Sequence, residues 1–248
     1  MARVVAVHGA FNELWGPHSL TARWLPAVQD GLWHHGVTLA PEDFAVCFYG
    51  DLFRRNPERD VPEEIARTRA GAEELLAEAS GGAAEALQQM FGKALYDRTV
   101  DLVAIMTSRT DLTEAVRARM DAVISPDTRV VVAHSLGTVV AYRALLAHPE
   151  WNVHTLVTLG SPIGIPLLLD TYVPERRDGI GPWPGTVQRW VNVAAKGDIA
   201  AVVPRLADLF GDRVEDVVVD NGLRAHDPEP YLNAEITGAA IAAALAVD

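Results

Sequence analysis

Six short runs of β-branched and apolar residues recur along the chain, at 3–8, 44–50, 129–134, 153–160, 187–195 and 214–220. Val130-Val131-Val132 and Val217-Val218-Val219 are continuous rather than alternating, the pattern of strands covered on both faces in a parallel sheet. Between the runs lie stretches with apolar positions at helical spacing, among them 19–35 and 136–147. The second stops at His148-Pro149, because proline lacks the N–H a helix needs and disfavours helical geometry in the residue before it. Alternating strand and helix with right-handed crossovers predicts a doubly wound, mainly parallel six-stranded α/β sheet. Ligands of such a sheet sit beyond the carboxyl ends of its strands.

Two segments are longer than a minimal crossover needs. In 51–128, Leu87, Met90, Phe91, Ala94 and Leu95, then Leu112, Val116, Met120, Val123 and Ile124, step by three and four, with Gly81-Gly82 as a break. This predicts several helices, forming either a cap inserted into a single domain of residues 1–248 or ordinary crossover helices against the sheet. In 162–186, Pro162, Gly164, Pro166, Pro174, Gly179, Gly181, Pro182, Pro184 and Gly185 predict a long loop near the expected site.

Composition narrows the partners. Apolar residues at 49% and charged residues at 22% describe an ordinary folded chain with no membrane span. A formal net charge of −12 repels polyanions, so a neutral or apolar small molecule is the expected partner and nucleic acid is not. The one cysteine, Cys47, has no intrachain partner and lies in an apolar run, as a buried thiol would. The chain enters its first strand at once, leaving no room for a signal peptide, and a cytoplasmic protein is the expectation. Oligomeric state is not legible. No metal or cofactor is expected: His34-His35 are adjacent and diverge on a helix, and the glycines lack dinucleotide or phosphate-loop spacing.

The chemistry concentrates at Ala133-His134-Ser135-Leu136-Gly137, a serine between a buried strand and a helix. A sharp strand-to-helix turn strains the serine backbone and brings neighbouring chain close, so Ala133 and Gly137 must be small for the hydroxyl to project. The helix start adds a favourable dipole for a developing oxyanion. In this segment the chain resembles the α/β-hydrolase superfamily, and its Ala-His-Ser-Leu-Gly form is similar to that of small bacterial lipases and esterases. Ser135 is the nucleophile the resemblance implies.

Further roles come from the same resemblance. The family's topology puts an acid after the second strand beyond the nucleophile and a histidine after the third. Asp198, in Lys196-Gly197-Asp198, and His226, in the loop 220–227, occupy those places. Asp220 is the rival acid, and Asp198 could instead cap a helix over 199–210. His134 is expected to point away across the turn. His8-Gly9-Ala10-Phe11 follows the first strand as an oxyanion loop does, with the backbone N–H of Ala10 or Phe11 joining that of Leu136, and His8 fixing the turn structurally.

The implied activity is a serine hydrolase cleaving a carboxylic ester through an acyl-enzyme, its apolar acyl pocket lined by Phe11, Trp15, Ile163, Leu167 and Trp183. The same machinery serves thioesters, lactones or peptides, and no motif separates them. A binding or scaffold protein on this fold is the alternative from another class; the intact serine, acid and histidine weigh against it.

Overall fold

The computed structural model describes residues 1–54, 62–79, 92–109 and 111–247. The chain divides into two compact units, one of Met1–Gly9, Trp15–Phe48 and Arg117–Asp248, the other of Ala10–Leu14 and Tyr49–Val116.

The larger unit holds all six strands: β1 (Val4–Val7), β2 (Phe44–Cys47), β3 (Val130–His134), β4 (Thr155–Leu159), β5 (Arg189–Ala195) and β6 (Val214–Val219). Each falls within one of the apolar runs, shortened at its ends. Every pairing is parallel, in the order β2-β1-β3-β4-β5-β6. The register sets Val4 opposite both Phe44 and Val130. The order reverses between β1 and β3, and the crevice at the carboxyl ends of two such strands is where open α/β sheets take their ligands.

Helices cover both faces. Alternate strand residues Val4, Ala6, Val130, Val132, Val157, Leu159, Val191 and Val193 form one core with Leu20, Trp24, Val28 and Leu32 of α1 (Pro17–Trp33). Tyr231 and Leu232 of a short C-terminal helix (Pro228–Leu232) and Ala240, Ile241 and Ala244 of the last helix (Glu235–Leu245) complete it. On the opposite face, Trp190 of β5 packs against Tyr142, on the helix Leu136–Ala147, and Phe210, on the helix Ala207–Phe210. Aliphatic strands shielded from both sides have no need of alternation, which explains Val130-Val131-Val132, all fully buried. Val217-Val218-Val219 departs from that expectation: β6 is the edge of the sheet, and Val218 is 57% exposed.

The smaller unit is helical. α2 (Pro62–Ala79) and α3 (Lys93–Ser108) bury Ala72, Val100 and Ala104 between them, and Arg69 of α2 pairs with Asp97 and Asp101 of α3. α4 (Leu112–Asp121) spans the boundary between the units, with Leu112, Val116 and Met120 buried at the expected four-residue steps. Leu87, Met90, Phe91 and Gly81-Gly82 lie outside the described residues. The remaining helices are α5 (Leu136–Ala147), α6 (Pro166–Tyr172), α7 (Ala207–Phe210), α8 (Pro228–Leu232) and α9 (Glu235–Leu245).

The structure differs from expectation in the connections too. The breaker-rich segment 162–186 is not all loop: α6 starts at Pro166, where the fixed φ of proline suits the first helical position and its missing N–H costs nothing. The helix considered over 199–210 is reduced to α7, so Asp198 caps no helix there. Among the described residues, no helix is long and apolar enough to cross a membrane.

Candidate active site

Ser135 is the residue between β3 and α5, with φ +54° and ψ −132°. Positive φ is costly for any residue with a Cβ, of order 1–3 kcal/mol, and persists only when the surroundings enforce it. Here they do. The Ser135 N–H donates to the Leu159 carbonyl at 2.9 Å. The Ser135 carbonyl accepts from the Thr138 N–H at 2.9 Å and from Thr138 Oγ1 at 2.7 Å. With its proton so used, Thr138 Oγ1 accepts from Ser161 Oγ at 2.7 Å, tying the elbow to the loop after β4.

The start of α5 presses on the end of β1. A Cβ on Gly137 would lie 2.4 Å from the His8 carbonyl oxygen, and one on Gly9 would lie 2.6 Å from Ser135 Cβ. Only glycine permits both approaches. They bring the turn after β1 directly beside Ser135, at the point where the strand order reverses. Leu136, the first residue of α5, is buried, and its N–H has no intrahelical acceptor.

His226 reaches the serine from the loop between β6 and α8. Its Nε2 is 3.0 Å from Ser135 Oγ, and its Nδ1 stands 2.8 Å from Asp198 Oδ1 and 3.0 Å from Oδ2. Asp198, just past β5, has no exposed side-chain surface. It also accepts from the Ala200 N–H at 2.9 Å and from the Tyr231 hydroxyl at 2.5 Å. Burial pushes its carboxyl up, but the hydrogen bonds from His226, Tyr231 and Ala200 outweigh burial and hold it below the usual range. Asp220 is turned elsewhere: it accepts from the Gly222 N–H at 3.1 Å and faces Lys196 at 3.5 Å.

His134 departs from expectation. Instead of pointing away, it lies under His226, ring centroids 4.8 Å apart, and its Nε2–H donates to the His226 carbonyl at 2.9 Å. Burial, with a smaller contribution from the neighbouring His226, pushes it down to about 3, so it is neutral at ordinary pH. The residue before the serine therefore anchors the backbone of the histidine that faces that serine. Proximity in sequence to Ser135 is its only advance signal. Tyr231 has none, since a buried tyrosine reads as core whatever its hydroxyl touches.

The other predicted residues belong to several elements. Ala10 and Phe11 belong to the smaller unit. Phe11 has φ +63°, and among the described residues Ser135 and Asp178 are the other non-glycine residues at positive φ. Arg98 of α3 stacks 4.4 Å over the Phe11 ring and pairs with Glu13 at 2.8 Å. Ile163 is buried in the loop after β4, and Leu167 lies half-buried on α6. Trp15 is half-exposed with the Arg23 guanidinium 4.7 Å from its ring. Trp183 packs on Trp190, under Arg213, and donates to the Val187 carbonyl at 2.6 Å. Val187 and Arg213 precede β5 and β6, so Trp183 belongs to the amino-terminal edge of the sheet, opposite Ser135, and is removed from the expected pocket.

The arrangement puts an alcohol on a nitrogen that can take its proton, with a buried carboxylate on the far side of the same ring. Such a chain turns a weak nucleophile into an alkoxide-like one at the moment of attack. No protein-family model, no curated protein and no solved structure matches the chain.

Proposed function

We propose that the protein is a serine hydrolase of the α/β-hydrolase type that cleaves carboxylic esters, with Ser135 as nucleophile, His226 as general base and acid, and Asp198 as the orienting carboxylate. What carries the reading is the unbroken chain from Ser135 Oγ through His226 to Asp198, at 3.0 and 2.8 Å. Its order along the strands supports it: serine after β3, acid after β5, histidine after β6. The smaller unit is read as a helical cap.

In this mechanism His226 Nε2 takes the Ser135 proton as Oγ bonds to the acyl carbon. The negative carbonyl oxygen is stabilised by the Leu136 N–H at the start of α5. Asp198 accepts from Nδ1–H throughout, fixing the tautomer and stabilising the imidazolium. His226 then returns the proton to the leaving alcohol. Water, deprotonated by the same nitrogen, releases the acid and restores the serine. The net charge of −12 favours neutral acyl substrates over anionic ones.

A fluorophosphonate probe tests the reading. Labelling of the wild-type chain, absent in Ser135→Ala, together with hydrolysis of p-nitrophenyl esters that drops by about a million-fold in turnover in that variant, is the expected outcome. Ester hydrolysis no faster than that of Ser135→Ala would overturn it.

A further inference from the structure

We propose that Tyr231 is a positioning residue that sets the charge left on Asp198, and through it the pH range in which His226 works. This rests on reading Ser135, His226 and Asp198 as one catalytic chain. Tyr231 lies on α8, five residues beyond His226, and is fully buried. Its hydroxyl oxygen accepts from the Ala195 N–H at 2.7 Å and its proton goes to Asp198 Oδ2 at 2.5 Å. The direction is fixed by chemistry, since a peptide N–H only donates and a carboxylate only accepts. The incoming peptide bond polarises the phenol and makes it a stronger donor. Burial, then the hydrogen bond to Asp198, push ionisation of the phenol well up, so it stays neutral.

The consequence is electrostatic. Asp198 shares its charge among His226 Nδ1, the Ala200 N–H and Tyr231 Oη, and its side chain has no exposed surface through which water could replace any of them. Each donor reduces the charge left to stabilise an imidazolium at 226. Removing the phenol proton returns charge to the face of Asp198 that holds His226 Nδ1–H, and that hydrogen bond strengthens.

Other ionisable groups lie near the cluster. Neutral His134 of β3 lies 4.8 Å from the His226 ring and 6.0 Å from the Tyr231 ring. Asp227 is paired with Arg224, and Glu229 with Arg224 and with Arg23 of α1. Lys196 and Asp220 pair beyond β5 and β6. Substituting Tyr231 removes none of these charges.

The test is the pH dependence of fluorophosphonate labelling by the full chain, comparing wild type, Tyr231→Phe and the chain carrying 2,3-difluorotyrosine at 231. The phenylalanine variant is expected to move the midpoint of the acid limb up by about half to one pH unit. The fluorinated side chain, a stronger donor of the same shape, is expected to move it down by a few tenths. A tyrosine that only fills space would lower the yield of folded protein and leave both midpoints at the wild-type value, which overturns the proposal. If Tyr231→Phe does not fold, the fluorinated chain decides alone, and an unmoved or raised midpoint refutes the role. Wild-type labelling that persists in Ser135→Ala sinks the catalytic reading itself; Ser135-dependent labelling with unmoved midpoints sinks only Tyr231.

Discussion

Two buried hydrogen-bond chains run through the larger unit, and they are built alike. At the carboxyl rim, Tyr231 donates to Asp198, which accepts from His226, which faces Ser135. On the other, Trp190 Nε1 donates to Thr158 Oγ1, Thr158 donates to Asn192 Oδ1, and Asn192 Nδ2 donates to Asp216 and to the Pro204 carbonyl. Each has an aromatic donor and a carboxylate. They differ in where they end. Asp216 spends its oxygens on Asn192 and on the N–H groups of Leu206 and Ala207, closing the first turn of α7. The rim chain ends on a hydroxyl in a strained, partly exposed turn. A satisfied polar network specifies structure; one with an open, reactive end has chemistry to offer.

The largest expected difference lies between the two carboxylates. Asp198→Asn keeps the shape but loses the charge opposite the imidazolium, and kcat should fall about ten-thousand-fold. Asp216→Asn should leave kcat per folded molecule within about threefold while lowering stability by roughly 1–2 kcal/mol through its weaker hold on α7. Ester turnover and urea unfolding of the same preparations make the comparison. If the two variants lost activity equally, the chains would not be separable into rim and frame.

Asn192→Ala sharpens the structural side. It strips Thr158, Asp216 and the Pro204 carbonyl of a partner inside the fold, at a cost of about 3 kcal/mol. Thermal unfolding should shift down by roughly 6–12 °C, since a domain of this size loses about 2–4 °C per kcal/mol. The residual folded protein should hydrolyse esters at the wild-type rate.

His134 stands between the chains in kind, a structural residue bonded to the proposed general base. Folded, it is pushed down from 6.5 to about 3. The unfolded chain therefore binds one more proton between those values. Its contribution is full above about pH 6.5 and is lost as pH falls towards 3, by at most ~1.4 kcal/mol per pH unit. His134→Gln keeps an N–H donor without the titration. Urea midpoints should show a loss of about 1–2 kcal/mol at pH 7 that closes or reverses at pH 5, where wild type has given up about 2 kcal/mol of its own. Turnover should drop about tenfold as the His226 backbone loses its exact seat.

How much of this is legible beforehand follows from the range of the interactions. The inner strands are legible because cover on both faces demands continuous apolar runs, and Val130-Val131-Val132 leading into Ser135 and a helix is a local pattern; β6 is legible from its valines although one of them, Val218, faces outward at the sheet edge. Asp198 and His226 are legible only through strand order. Tyr231, Asn192 and the turn of His134 towards His226 are not, because each depends on a partner brought near by the sheet. Asn192 is a polar residue in an apolar strand, written no differently from a solvent-facing one. Trp183 misleads for the same reason: an aromatic in a proline- and glycine-rich segment suits a pocket, but Trp190 and Arg213 claim it at the far edge.

The smallest effect belongs to Asp220, and its smallness is informative. From the sequence it rivals Asp198, standing at the end of β6 a few residues before His226. Its side chain is 65% exposed, its partner Lys196 is 69% exposed, and the two approach only to 3.5 Å, a pair worth about 0–1 kcal/mol. Asp220→Asn should change kcat by less than about twofold and shift urea unfolding by under ~0.5 kcal/mol. In 0.5 M salt even that difference should vanish, because exposed charges are screened over a few ångströms. A hundredfold loss in Asp220→Asn alongside an active Asp198→Asn would instead reassign the acid to the end of β6, and with it the orientation of the His226 ring.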